Sequence, residues 1–134
     1  IAKMYGNVGA FTLCRNTYEA FDKSESAFVC SGTATLEAAL AGVPFVLAYK
    51  AKAIEYWLAK KFVKLKHVGL ANILFDFAGL EPLHEELLQE ELYADNLMRV
   101  YEQTDKNAFL EHAKKLRGLL AHGSQEAMIS IMKV

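Results

Sequence analysis

The chain has 134 residues, 53% of them hydrophobic, and a formal net charge of -1. That length can bury a core of its own, the composition excludes a disordered chain, and the balanced charge excludes a global field that would draw nucleic acid. No stretch reaches the roughly 18 apolar residues that span a bilayer, no signal-peptide pattern opens the chain, and the start at Ile1 reads as a piece of a longer protein.

In chain order, Gly9 to Cys14 reads as a short strand and Thr17 to Ser24 as a short helix with Tyr18 and Phe21 on one face. Ala27 to Cys30 is a continuous apolar run, the mark of a buried parallel strand. Thr33 to Ala41 reads as a helix stopped by Gly42 and Pro44, and Phe45 to Tyr49 as the next buried strand. Ala53 to Lys64 is an amphipathic helix. His67 to Leu70 reads as one more short strand before a loop around Asn72. After Pro82 the spacing predicts helices over Leu83 to Glu91, Ala94 to Gln103 and Ala108 to Ala121. Gly123-Ser124 should break the chain before a last apolar helix, Glu126 to Val134. Strands alternating with helices give an α/β class: a Rossmann-like parallel sheet flanked by helices over residues 1–80, then an all-helical tail over 81–134.

The thiols Cys14 and Cys30 each close an apolar run and form no Cys-x-x-Cys pair, so they read as reduced core thiols. The four histidines are scattered without metal-ligand spacing, and no Asp-x-Asp pair is present, so no metal site is expected.

The stretch that carries chemistry is Ser31-Gly32-Thr33 with Glu37 behind it, at the carboxyl end of a predicted strand, where such sheets bind ligands. A helix start leaves backbone N–H groups unpaired and carries partial positive charge, which suits phosphate. Gly32 removes the Cβ that would hold phosphate oxygens off, and Ser31 and Thr33 add hydroxyls. The Glu37 carboxylate would repel a phosphate but can accept hydrogen bonds from both hydroxyls of a ribose. A nucleoside diphosphate satisfies both features. A plain capped helix start, with Glu37 as dipole partner, satisfies the same spacing. Lys50 stands just past the next strand and is placed to add positive charge near phosphates, or is a solvated lysine.

Three segments in this order, "SGTATLEAALAGVPFVLAY", "YWLAKKFVK" and "GLANIL", resemble the C-terminal half of lipid A disaccharide synthase. The matched stretch runs without a gap from Phe28 to Leu74, and "EELLQEE" resembles the family's acidic helix. The resemblance implies the C-terminal half of a two-domain GT-B glycosyltransferase. Its implied reaction moves 2,3-diacylglucosamine from UDP to 2,3-diacylglucosamine 1-phosphate (lipid X), with UDP as the other product and no metal or other cofactor. It places the diphosphate at Ser31, Gly32 and Thr33, the ribose at Glu37 and a catalytic residue, able to bond the donor sugar or phosphate, at Asn72; an ordinary turn asparagine is the alternative there. Two departures stand out. Ala71 replaces the family's proline, and "FDFAGLEP" replaces a shorter link that carries an arginine. The family's LPGSR segment and its acceptor-binding domain lie upstream, so the fragment alone is expected to be inactive. Another UDP-sugar transferase or epimerase of this fold, or a non-catalytic nucleotide-binding or interaction domain, are the competing readings.

Lys50, Lys52, Lys60, Lys61, Lys64 and Lys66 cluster around Tyr56, Trp57 and Phe62, with Glu55 the lone acid among them. That pattern suits the anionic inner face of a bacterial inner membrane, giving a cytoplasmic, peripheral location; a helix packed on the sheet with lysines in water has the same pattern. In the resembled family the C-terminal helices can swap between protomers. Met128, Ile129, Ile131 and Met132 are therefore expected to drive self-association.

Overall fold

The computed structural model describes residues 9, 11–30, 32–50 and 66–132, with 122–132 in backbone only. Ser31, the predicted helix Ala53 to Lys64 and most of the basic cluster lie outside these residues.

Asn16 opens α1 (Thr17–Asp22) by accepting the Tyr18 N–H at 3.0 Å on its side-chain oxygen. Strand β1 (Ala27–Val29) follows, then α2 (Gly32–Ala41). Helix α2 ends as its sequence demands: Gly42 takes φ +76°, its N–H bonds to the Ala39 carbonyl, and the Val43 N–H reaches the Ala38 carbonyl. That turn delivers β2 (Phe45–Tyr49), whose first four residues are buried because helices cover both faces. Beyond the undescribed segment come α3 (Leu70–Phe77), β3 (Glu86–Leu88), a 3-10 turn (Gln89–Glu91), α4 (Ala94–Gln103) and α5 (Lys106–Met132).

The sheet is three-stranded and parallel, in the order β1-β2-β3. Val29 pairs with Leu47 and Leu47 with Glu86, so β3 is displaced toward the carboxyl edge. On one face, Val29 and Phe45 join Ala38 and Ala39 of α2, Ala71 and Phe75 of α3, and Phe109, Ala113 and Leu116 of α5. On the other, Val46 and Leu87 meet Val100 of α4. The Rossmann-like arrangement read from the sequence is present.

Several predicted elements differ. Residues 11–14 form no strand: Phe11 and Leu13 are exposed, and an apolar run without a ladder partner gains nothing from extending. His67 to Gly69 bends instead of pairing, and the expected loop at Asn72 is the first turn of α3. The expected helix Leu83 to Glu91 is a strand and a 3-10 turn. Its composition favours helix, but β2 offers an open edge and Leu87 a place in the core. Gly123-Ser124 does not break α5, which runs through both to Met132. Glycine in a helix costs only about 1 kcal/mol, too little to end a long one. Cys14 and Cys30 are free thiols, as expected, but exposed rather than in the core.

Candidate functional site

Gly32 opens α2 directly beyond β1, at the carboxyl edge of the sheet. Thr33 is exposed and Glu37 half-buried. Four residues apart, they lie on one face of the helix. The first turn of α2 carries no acid of its own, which leaves the positive end of the helix dipole without a carboxylate from that turn. Lys50 is exposed just past β2, the neighbouring strand. The structure thus places Gly32 and Thr33 beyond the end of β1 and Lys50 beyond the end of its neighbour β2, with Glu37 one turn further along α2.

A second helix start meets this corner. A Cβ on Gly32 would lie 2.9 Å from the Val68 carbonyl oxygen, so the segment leading into α3 packs on the bare backbone of α2. Thr35 ties the two helices together. Its hydroxyl donates to the Gly32 carbonyl at 2.6 Å and accepts the Ala71 N–H at 3.3 Å.

The backbone that leads into α3 is already held by an anion of the chain itself. Glu86, whose side chain is 8% exposed, accepts the Val68 N–H at 2.8 Å and the Gly69 N–H at 3.0 Å. The same carboxylate accepts the Asn72 amide at 3.0 Å, and His67 Nδ1 stands 3.7 Å away. Of the two helix starts, that of α3 thus has the Glu86 carboxylate bonded to the residues just before it, and that of α2 stands beyond the end of β1.

Asn72 is fully engaged within the chain. Its amide nitrogen donates to the His84 carbonyl and to Glu86, and its oxygen accepts the Leu83 and His84 N–H groups. It is 1% exposed. Here it acts by fixing the loop that leads into β3, a task not visible from its place in "GLANIL".

His84 packs its ring 4.4 Å from that of Phe45 and directs Nδ1 at the Glu85 carbonyl, 3.1 Å away. A carbonyl only accepts, so Nδ1 carries the proton and the buried Nε2, which has no hydrogen-bond partner among the described residues, is the bare nitrogen. Burial pushes its pKa below the usual histidine value; the Glu85 carbonyl and Glu86 oppose this, and His67 adds to it.

Sequence reasoning missed Glu86, Gly69 and His84. Glu86 sits in an acid-rich run that reads as a solvated helix face, and only its distance from Val68 and Gly69 in space gives it a role. A cleft of about 710 Å³ opens at the opposite, amino edge of the sheet, lined among others by Phe45, Leu83, His84, Arg99 and His112. Glu86, whose carboxylate reaches Val68 and Gly69, also lines it. Among the described residues no group of His, Cys, Asp and Glu gathers in a metal-holding arrangement, and no helix is long and apolar enough to cross a membrane.

Comparison with known proteins supplies the family. The sequence profile of the family described as lipid-A-disaccharide synthetase matches residues 2–130. The lipid-A-disaccharide synthase of Campylobacter jejuni (strain RM1221) is 49% identical over 130 residues, 97% of this chain and 36% of that protein. The one from Helicobacter acinonychis (strain Sheeba) is 40% identical over 135 residues, covering 95% of this chain and 38% of its own length. The Helicobacter pylori (strain Shi470) protein is 40% identical over 129 residues, 90% of this chain and 36% of its own. This chain therefore spans little more than a third of the relatives it matches. No solved structure matches it. The profile match, over nearly the whole chain, and the identities place this chain in the lipid-A-disaccharide synthetase family.

Proposed function

We propose that this chain is the nucleotide-holding part of an inverting glycosyltransferase that moves 2,3-diacylglucosamine from UDP to 2,3-diacylglucosamine 1-phosphate. The observation that carries the reading is the α2 start at the carboxyl edge of the sheet: no acid in its first turn, Thr33 and Glu37 on one helix face, and Glu86 already bonded to the backbone that leads into the neighbouring helix.

The UDP diphosphate lies on the first turn of α2, with Ser31 and Thr33 adding hydroxyl donors. The ribose hydroxyls donate to Glu37. When the acceptor hydroxyl attacks the anomeric carbon, the bond to the diphosphate oxygen breaks, and its electron pair leaves with UDP. Negative charge grows on the β-phosphate, where fixed N–H donors and a helix end stabilise it without reorganising. Lys50 adds positive charge on the same side. The acceptor site and the base that takes the hydroxyl proton belong to parts of the protein outside this chain. Asn72 serves the reaction by holding the loop behind the corner. The basic segment around Trp57 docks on an anionic membrane face, and α5 supports self-association.

The test is transfer by the full-length protein, following disaccharide formation and UDP release together. Equal amounts of both, at a rate unchanged by EDTA, fit the reading. UDP release without disaccharide, or a rate abolished by EDTA, contradicts it.

A further inference from the structure

The contacts around Glu86 go beyond capping a helix. Its carboxylate gathers the Val68 N–H, the Gly69 N–H and the Asn72 amide, three donors on one buried group. Those donors belong to the segment whose Val68 carbonyl abuts Gly32. Glu86 itself is fixed by the sheet, paired opposite Leu47, which in turn pairs with Val29, the last residue of the strand that leads to the corner. Two rigid routes thus run from the sheet to the same few atoms. One passes through β1 into Gly32, the other through β3 and Glu86 into Val68.

We propose that Glu86 is a positioning residue for the nucleotide: by holding the Val68-Gly69 segment against Gly32, it sets the width and the charge of the diphosphate corner. The carboxylate acts in two ways. It keeps the Val68 carbonyl, a negative dipole end, at one fixed distance from the α2 backbone. It also neutralises the α3 start, so that a diphosphate meets one positive helix end and has one seat. Without it, the Val68 and Gly69 N–H groups compete for the same phosphate from the wrong side, and the segment is free to shift over Gly32. Gly69 is part of the same device. A Cβ there would come 2.6 Å from His84 Nε2 and 3.1 Å from the Glu86 carboxylate, so the close approach of Glu86 to the α3 start requires glycine.

This inference rests on the α2 start being the nucleotide site, and the test separates the two claims. In the full-length protein, UDP affinity is measured by calorimetry, and donor KM and kcat by transfer, for the unchanged protein, Glu86→Gln and Glu86→Asp. Thermal midpoints are recorded beside them. Glu86→Gln keeps the shape but turns a donor toward the Val68 and Gly69 N–H groups; Glu86→Asp keeps the charge on a shorter arm and serves if the first variant does not fold. The expected result is UDP binding weaker by about tenfold in Glu86→Gln, the effect of one charged hydrogen-bond set. Donor KM should rise in step, kcat should change little, and Glu86→Asp should recover part of the loss. A lowered thermal midpoint with UDP affinity and KM unchanged in both variants overturns the inference and leaves the nucleotide site standing. An unchanged protein that does not bind UDP overturns both.

Discussion

The amide nitrogen of Asn72 lies 3.0 Å from a carboxylate oxygen of Glu86 and 2.8 Å from the His84 carbonyl oxygen, while its own oxygen accepts from Leu83 and His84. One side chain in α3 thereby fixes both ends of the turn that leads into β3. Removing it strands several buried polar groups at once. Asn72→Ala should destabilise the full-length protein by about 2–4 kcal/mol, read from urea unfolding. A loss below 1 kcal/mol would mean that water replaces the amide.

Two glycines should respond to alanine with opposite signs. At Gly69 the new Cβ meets the His84 ring at 2.6 Å. Gly69→Ala should cost about 1–3 kcal/mol through overpacking. At Gly118, inside α5, a Cβ meets nothing within 4 Å. Gly118→Ala should stabilise by about 1 kcal/mol, because alanine loses less backbone freedom in a helix. Thermal midpoints of the two variants moving the same way would contradict the packing described at the α3 start.

Gln89 has φ +53°, the one positive φ of a non-glycine residue among the described residues, and follows β3 directly. Such a backbone costs a side-chain-bearing residue on the order of 1 kcal/mol. Gln89→Gly should therefore leave stability unchanged or raise it by up to about 1 kcal/mol, although glycine is the more flexible residue. A clear loss would show that the side chain holds the turn.

His84 makes stability depend on pH. Burial lowers its folded-state pKa below 6.5, so between that lowered value and 6.5 the unfolded chain binds more protons than the folded one. Stability is therefore complete above about pH 6.5 and is lost as pH falls through that window, by at most about 1.4 kcal/mol per pH unit. Glu86 and the Glu85 carbonyl soften the effect and His67 sharpens it. Urea midpoints at pH 7.5 and 5.5 should differ in the unchanged protein and converge in His84→Leu. An equal difference in both would assign the dependence to other groups.

What the sequence shows depends on how local each feature is. Phe45 to Tyr49 and Ala94 to Gln103 have the bounds their patterns indicate, because Pro44 and the helical spacing of Leu97, Val100 and Tyr101 are local signals. The start of α2 was legible because its signals, Gly32 and Thr33 directly after an apolar strand, are local. The pairing of β3 was not, because "EELLQEE" has helical composition and becomes a strand only against the open edge of β2. Glu86 was illegible for the same reason: its partners, Val68, Gly69 and Asn72, lie more than a dozen residues earlier. Asn72 was visible as a residue worth noting, but its hydrogen bonds belong to a turn that the sequence presents as helix.

The most direct test of the account is titration of the full-length protein with UDP in a calorimeter, beside Glu37→Ala. The account predicts saturable binding that weakens by about tenfold or more when the ribose loses its acceptor, with the thermal midpoint unchanged in the absence of UDP. Binding of equal strength in both proteins would contradict it, leaving Glu37 as a helix acid and the nucleotide elsewhere.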